Sequence, residues 1–359
     1  MTVLTEHPEL KRPIRADDWD GLAVGTYPRL VEAIERGDGA ARADLAGFFV
    51  LEARVIHDIY AQWLVDTRRY LADHGLAPDD LAAEEARVRA LAYAGRPAVT
   101  ADRDAAWDAV AALAEDVAAD RDAPAAAARM KELWRHLHDG QVDHISGLFD
   151  VVVRRFGEAA LGEMYEGWVI GDWFAKRYQR FDVSRFAWDE AFPLVVYLTF
   201  ESMHGHLAGP GRLGDVTFES FDDRVVFTFA PCGSGGRTVV GEPLDGTPPR
   251  MEPPYRFKVL EEEHPFAWNT KGVCTYCAHC CVLTEKLPIE TFGYPIRVVD
   301  PPLYPNGGDA VCRWTVYRAP ELVPEAVYER LGLCKPPPGA PLGSAGRAER
   351  EAATAAAAR

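Results

Sequence analysis

Residues 216–237 of this 359-residue chain read VTFESFDDRVVFTFAPCGSGGR, and the hydrophobic period changes here from helical to alternating. Hydrophobic and polar residues alternate on both sides of Phe221-Asp222-Asp223-Arg224, a segment with the composition of a turn. Alternation with a period of two residues predicts a β-hairpin. This hairpin leads directly into a glycine-rich loop that contains Cys232.

The chain before the hairpin has the periodicity of helices. Between Trp19 and His206, apolar residues recur three and four positions apart, as they do around Leu45 and Phe49. A second periodic stretch, Val142–Phe156, ends before Gly157, a residue suited to cap a helix C-terminus. We therefore expect a helical N-terminal half.

The chain after the hairpin contains three further candidate strands. They are Tyr255–Leu260, Ile296–Val299 and Cys312–Tyr317. Turn-forming residues at 306–309 join the last two, and a short helix, Ala278–Lys286, is expected within the cysteine-rich insertion.

These patterns predict an α+β protein in which an N-terminal, bundle-like helical half packs on a small antiparallel β-sheet with a cysteine-rich insertion. We expect a helical region at residues 1–140 and an α+β domain with the cysteine site at 141–335. Residues 336–359 are rich in Pro and Ala and are predicted to be a disordered tail.

Composition narrows the classes of partner. The formal net charge is −16, which would repel a nucleic-acid backbone. The first fifteen residues lack the apolar core of a signal peptide, and no later stretch has the roughly 18 apolar residues that span a membrane. We expect a cytoplasmic protein with a small-molecule substrate and no nucleic-acid or membrane partner; a homo-oligomer stays open.

Cysteine supplies the strongest functional signal. All seven cysteines lie between Cys232 and Cys334, and the first 231 residues contain none. In a reducing compartment such a cluster indicates metal binding or catalysis before disulfides. The densest motif is CTYCAHCC at residues 274–281. The predicted metal ligands are Cys232, Cys274, Cys277, Cys280, Cys281 and Cys312.

Four interpretations of this cluster are open. Zinc, the preferred cofactor, would take four of the thiolates, or three and a water. Iron in an iron–sulfur cluster would need Cys232 or Cys312 as the fourth ligand, because a ferredoxin-type motif would have Cys where this chain has Thr284. The third interpretation is a redox dithiol formed by Cys277 and Cys280. The fourth is a nucleophilic cysteine with a histidine base.

Other residues complete the candidate site. Glycines around Ser234 could form a nest of backbone N–H groups for an anion, and Glu201 and His204 share a helix face as in di-iron carboxylate bundles. Aromatic residues between Tyr165 and Phe186 could wall a pocket. The predicted catalytic residues are His279, His264, Cys277 and Arg237. The predicted substrate-binding residues are Ser234, Gly235, Tyr276 and His204.

Two segments carry a family resemblance. Residues 152–168, VVRRFGEAALGEMYEGW, and the closing strand Cys312-Arg313-Trp314-Thr315-Val316 resemble bacterial proteins of the L-2-amino-thiazoline-4-carboxylate hydrolase-like type. The closing strand is also similar to that of vinyl-reductase-type small-molecule-binding domains. The resemblance covers about residues 140–318 and implies small-molecule metabolism, with no role assigned to an individual residue.

The sequence thus predicts a metal-dependent enzyme, a hydrolase, that acts on a small organic molecule. In that interpretation His279 or His264 moves protons, and Arg237 with the glycine-loop amides orients an anionic group. Two alternatives remain. One is a thiol-based redox or small-molecule sensor, and the other is a binding module with a structural zinc site.

Overall fold

The computed structural model describes residues 3–242, 244–305 and 311–357. Helices dominate the chain as far as residue 205, and a four-stranded antiparallel sheet follows, so the predicted α+β class is confirmed. The predicted turn at residues 306–309 lies outside the described residues.

The helices of the N-terminal half include two that exceed thirty residues. Their bounds are α1 Trp19–Leu22, α2 Thr26–Glu35, α3 Gly39–Asp73, α4 Pro78–Ala92, α5 Arg103–Ala118, α6 Ala123–Phe156, α7 Glu158–Met164, α8 Gly171–Arg177 and α9 Trp188–Gly205. A π-helical turn covers Tyr165–Val169, and 3₁₀ turns cover Ala98–Ala101 and Tyr178–Phe181.

Helix α6 is the central element of the helical half. It contacts α2, α3, α4, α5 and α7, and residues 137–153 are buried without interruption. It ends at Gly157, whose φ of +88° favours glycine, as predicted. The helix also passes through residue 140 without a break. A domain boundary at 140/141 is therefore wrong, because it would divide one continuous helix.

The main sheet has the strand order β3–β4–β6–β5, and each neighbouring pair is antiparallel. Its strands are β3 Thr217–Ser220, β4 Arg224–Phe229, β5 Val298–Asp300 and β6 Cys312–Tyr317. In the register of β4 and β6, Phe229 is opposite Cys312. The loop that contains Cys232 follows β4 directly, so the antiparallel pairing brings Cys232 to the start of β6.

The predicted strand Tyr255–Leu260 does not form. Val259 makes only an isolated bridge with Cys274, and the Leu260 N–H donates to the Val273 carbonyl at 2.9 Å. This segment therefore anchors the cysteine-rich insertion without extending the sheet. The helices of this half are α10 Gly235–Val240, α11 Ala278–Cys281, α12 Leu287–Phe292, α13 Glu325–Glu329 and α14 Arg347–Ala357. A π-helical turn, Val282–Lys286, joins α11 to α12, and 3₁₀ turns cover Pro265–Ala267, Pro320–Leu322 and Ser344–Gly346.

The sequence did not predict a hairpin at the N-terminus. Strand β1, Leu4–His7, pairs with β2, Arg12–Arg15, in an antiparallel register. The hairpin is fastened to α9 because the Arg12 guanidinium donates to both carboxylate oxygens of Glu201, at 2.7 and 2.5 Å. Residues 3–18 thus belong to the folded body.

The predicted disorder of residues 336–359 is wrong for the described part of the tail. Arg350 in α14 is buried, and its Nη2 donates to the Thr291 carbonyl at 2.8 Å. The Ser344 N–H donates to Asp182 Oδ1 at 3.0 Å. The disorder prediction considered only how much apolar surface the tail could bury. Polar contacts of Arg350 and Ser344 hold the tail to the body instead.

Among the described residues, no helix is both long enough and apolar enough to cross a membrane.

Candidate functional site

A cavity of about 300 Å³ lies between helices α3 and α9, the main sheet and the cysteine-rich insertion. We call it the thiol cavity, because Cys232, Cys277, Cys280 and Cys312 line it. Aromatic residues form much of its wall. They are Tyr60, Trp63, Trp173, Tyr178, Phe181, Trp268, Tyr276 and Trp314.

The segment 274–281 places three thiols on this side of the insertion. The Cys277 N–H donates to Cys274 Sγ at 3.0 Å, which closes a turn before helix α11. Cys277 and Cys280 line the cavity, whereas Cys274 is 1% exposed and lies behind Cys277. A hydrogen bond from the Cys277 thiol to Cys274, together with burial, raises the pKa of Cys277.

Cys232 and Cys312 form a second pair of thiols, at the neighbouring ends of β4 and β6. A hydrogen bond from the Cys312 thiol lowers the pKa of Cys232 to about 6, against the opposite effect of burial. The N–H groups of Gly236 and Ser234 also donate to Cys232, the first at 3.0 Å. Cys232 is therefore the thiolate of the pair, and donation to it raises the pKa of Cys312.

Two amide groups of the glycine loop contact a sulfur atom of the chain itself. The loop amides were expected to bind an external anion, but the N–H groups of Ser234 and Gly236 stabilise the Cys232 thiolate. Ser234 and Gly235 do line the cavity. A side chain at Gly235 would meet the insertion, because a Cβ there would lie 2.6 Å from Cys277 Sγ.

Cys281 does not join the other thiols. Its Sγ donates to the Pro265 carbonyl at 3.5 Å on the far side of α11, and burial raises its pKa. Consecutive helical residues point about 100° apart, so Cys280 and Cys281 cannot both face the cavity. Its prediction as a metal ligand is not supported by this placement.

Mononuclear zinc fits the thiols poorly. Four thiolates on one zinc ion would lie about 3.8 Å apart, because Zn–S bonds of ~2.3 Å point to the corners of a tetrahedron. Among the described residues, three or more His, Cys, Asp or Glu ligand atoms lie within 4.8 Å of one another only at Glu158, Glu262 and His264. The thiols are thus spaced more widely than one ion requires.

The donor set fits an iron–sulfur cluster better. A cluster places several iron and sulfide ions between its cysteines, so their sulfur atoms are farther apart than around a single ion. N–H groups that donate to sulfur tune such clusters, and the described residues include several besides the Ser234 N–H. Among them are Gly236 N on Cys232, Cys277 N on Cys274, and Trp314 Nε1 on Cys312 at 3.2 Å.

Arg237 does not reach the cavity. It is fully buried, and its Nη2 donates to Asp143 Oδ1 at 2.7 Å. Its Nε donates to the Gly233 carbonyl at 3.3 Å, so it supports the glycine loop from behind. The predicted catalytic role of Arg237 is wrong for this geometry, because carboxylates of α6 neutralise its charge.

Two predicted histidines also lie elsewhere. His264 Nε2 contacts Glu158 Oε2 at 2.8 Å, and the residue is absent from the cavity wall. His204 is held at both ring nitrogens, by Glu52 Oε1 at 2.9 Å and by the Leu22 carbonyl at 2.8 Å. Neither imidazole is available to a substrate in the thiol cavity. The predicted di-iron use of Glu201 is excluded likewise by its bidentate contact with Arg12.

His279 and Tyr276, predicted as a catalytic and a substrate-binding residue, both line the cavity. His279 Nδ1 lies 2.6 Å from the Tyr276 carbonyl, an acceptor, so Nδ1 carries the proton. Its Nε2 therefore has the lone pair, and it lies 3.4 Å from Cys280 Sγ. Burial lowers the pKa of His279 to about 4, which keeps the imidazole neutral at pH 7.

A buried chain of hydrogen bonds ends at Tyr276. Its members are Asp139, His138, His206, Tyr60 and Tyr276, with successive contacts of 2.9, 3.0, 3.2 and 2.6 Å. Burial alone would raise the pKa of Asp139, but Arg212 and Arg237 outweigh it and hold this pKa well below its usual range. The ionised carboxylate accepts from His138 Nδ1, so His138 Nε2 accepts from His206 Nδ1, and the Tyr60 hydroxyl contacts that same nitrogen.

Tyr60 and Arg297 are among the cavity residues that sequence reasoning missed. Tyr60 has no neighbouring motif and belongs to the apolar stripe of α3. Its sequence context therefore gave no sign that its hydroxyl would line a cavity. Arg297 had a signal, since it interrupts the apolar run Tyr294–Val299. Arg297 lines the cavity, is 7% exposed and lies with its Cζ 5.5 Å from the Trp314 ring centre.

Comparisons with known proteins add no relative. No family model matches the chain, and no curated protein or solved structure matches it at a significant level. The family resemblance inferred from residues 152–168 and 312–316 therefore stays a prediction.

Proposed function

We propose that this chain is a metal-dependent enzyme that binds a small organic molecule in the thiol cavity. One observation carries the proposal: cysteines from three separate segments converge on one cavity that also contains polar groups. Those segments are the loop after β4, the start of β6 and residues 274–280. A purely structural metal site needs no adjoining cavity, whereas a catalytic one needs room for a substrate.

We propose an iron–sulfur cluster as the resident group. Cys274, Cys277 and Cys280 would supply three ligands, and Cys232 or Cys312 the fourth. The wide spacing of the thiols supports this choice over the zinc ion that the sequence suggested. An iron–sulfur cluster supplies electron transfer when four cysteines bind it, and Lewis-acid chemistry when three cysteines bind it and one iron is left open.

The residues of the chain support a hydrolytic reaction. His279 Nε2 has a lone pair beside Cys280 and can accept a proton from water. The hydroxyls of Tyr276 and Ser234 line the same cavity and can donate hydrogen bonds to a substrate oxygen. The aromatic wall excludes bulk water and therefore strengthens these polar contacts.

A thiol-based redox or sensing function is the second candidate. It is favoured by the hydrogen-bonded thiol and thiolate of Cys312 and Cys232 and by the pKa of about 6 for Cys232. In this case the Cys312 thiol and the Cys232 thiolate would form one disulfide, and an external oxidant would accept two electrons while one proton is released.

The test is the metal content of protein purified without air. Iron and acid-labile sulfide, measured by mass spectrometry and a colorimetric assay, should be present with absorption in the visible region. Cys280→Ser should lose most of the iron. The matched control Cys281→Ser should retain it, because Cys281 faces Pro265.

Three results decide among the candidates. The enzyme proposal is supported if the protein contains iron and hydrolyses some members of a panel of small amides and thiazolines, while Cys280→Ser is inactive. If the protein is free of metal and a mild oxidant links Cys232 to Cys312, the redox function replaces the enzyme proposal. Full iron content in Cys280→Ser would contradict the ligand assignment.

A further inference from the structure

We infer that the ligand of the thiol cavity is a small organic dianion that spans it. One anionic group would contact Arg297 at the buried end, and the other would contact Arg177 and Arg180 at the exposed end. The inference rests on the proposed function in one respect, because it takes the thiol cavity as the substrate site.

Arg297 is a buried cation without a carboxylate partner among the described residues. Its Nε donates to Thr199 Oγ1 at 2.7 Å, and its Nη1 donates to the Tyr178 hydroxyl at 3.2 Å. Both acceptors are neutral, so they orient the guanidinium and leave its charge uncompensated. A buried charge is costly unless it is paired. An anionic ligand group in the cavity would supply that pairing.

Arg177 and Arg180 form the second cationic position. Both line the cavity; Arg177 is exposed at the end of α8, and Arg180 is half-buried in the following 3₁₀ turn, Tyr178–Phe181. Neither makes an ion pair with the part of the chain that the structure describes. Burial and the charge of nearby Arg177 lower the pKa of Arg180, as expected for like charges held together.

The acidic residues of the cavity wall are already occupied. Glu201 pairs with Arg12 through both carboxylate oxygens, and Glu52 Oε1 contacts His204 Nδ1 at 2.9 Å. The wall therefore has three arginines without an ion pair to the described carboxylates, with Arg297 buried and Arg177 and Arg180 nearer to solvent. Guanidinium groups bind carboxylates and phosphates through paired N–H donors. Two such positions in one cavity select a molecule with an anionic group at each end.

Isothermal titration with dicarboxylates tests the inference. The probes are succinate, glutarate and adipate, each compared with its monoamide, which keeps the length and loses one charge. The best dicarboxylate should bind at least about tenfold tighter than its monoamide. Arg297→Gln should abolish that preference, and so should Arg177→Gln combined with Arg180→Gln. Lys176→Gln, an exposed change on the same helix, should preserve it.

Other outcomes would overturn the inference. Equal affinity for a dicarboxylate and its monoamide would do so directly. Loss of iron from Arg297→Gln with retained dicarboxylate preference would show that Arg297 compensates the thiolates instead. If Arg297→Gln fails to fold, the test uses Arg297→Lys and the double variant of Arg177 and Arg180. Each should weaken the preference for a dicarboxylate over its monoamide.

The two proposals can fail separately. Metal-free protein that still prefers dicarboxylates would refute the proposed enzyme and retain the dianion site. Iron-containing protein that hydrolyses neutral amides and ignores charge would refute the dianion and retain the enzyme.

Discussion

The hydroxyl of Tyr60 lies 2.6 Å from the hydroxyl of Tyr276. Tyr60 belongs to α3, and Tyr276 lies between two thiols of the cysteine-rich insertion. The contact therefore joins the helical half to the candidate site. Burial raises the pKa of both phenols, so each stays protonated and one must donate to the other.

Removing one hydroxyl of this pair should destabilise the fold. Tyr60→Phe or Tyr276→Phe is expected to lower the free energy of unfolding by about 1–3 kcal/mol, because the remaining hydroxyl loses a buried partner. The double variant should lose less than the sum of the two. Urea unfolding followed by circular dichroism measures the three values. Tyr317→Phe, whose hydroxyl has no described partner, is the control; strict additivity would contradict the coupling.

Gly235 should be intolerant of a methyl group. A Cβ there would lie 2.6 Å from Cys277 Sγ, so the sulfur or the loop must shift. Gly235→Ala is expected to lose more than half of the iron that the proposed cluster would contain and about 1–3 kcal/mol of stability. Gly47→Ala is the control, because nothing lies within 4 Å of a Cβ on that exposed face of α3. It should gain about 0.5–1 kcal/mol. Normal iron content in Gly235→Ala would contradict the close packing.

The convergence of Cys232 and Cys312 could be predicted from the sequence. The alternating residues of β4 and β6 mark two short strands, and Cys232 follows one while Cys312 begins the other. Antiparallel pairing of neighbouring strands then places the two thiols side by side. Local periodicity was sufficient here because the contact follows from strand direction alone.

The surroundings of the thiols could not be predicted in the same way. Arg237 lies five residues from Cys232, but its charge is neutralised by Asp139 and Asp143 of α6, about a hundred positions earlier in the sequence. The Arg12 contact with Glu201 likewise joins residues 189 positions apart. Such ion pairs depend on how helices rotate against one another, which periodicity does not determine.

The Glu85 carboxylate makes the stability of the helical half depend on pH. His144 Nε2 contacts Glu85 Oε1 at 2.7 Å, and Arg68 Nε contacts Oε2 at 3.0 Å, so the carboxylate joins α3, α4 and α6. Burial alone would raise the pKa of Glu85, but the hydrogen bonds from His144 and Arg68 outweigh it and hold the pKa at about 2. The unfolded chain binds this proton near pH 4.5, so the contribution is complete above that pH and is lost toward pH 2.

Glu85→Gln should therefore alter the pH profile of stability. We expect it to lower the free energy of unfolding at pH 7 by about 1–2 kcal/mol, with allowance for solvent screening. The difference from the native protein should shrink as the pH falls from 5 to 2. Urea unfolding across that range measures it. Glu115→Gln, on the exposed face of α5, should leave the profile unchanged. A constant difference at every pH would exclude the carboxylate as its source.

A substitution of Arg237 can distinguish a catalytic role of this residue from a structural one. It is fully buried, with Nη2 2.7 Å from Asp143 Oδ1 and Nε 3.4 Å from Asp139 Oδ1. Arg237→Gln leaves buried carboxylates less compensated and should lower the free energy of unfolding by about 3–5 kcal/mol. Exposed Arg129→Gln should change it by less than about 0.5 kcal/mol. Because Arg237 does not line the cavity, the variant that remains folded in the cold should bind succinate within about threefold of the native affinity. Native stability with a tenfold loss of affinity would instead restore the substrate contact that the glycine-loop sequence suggested.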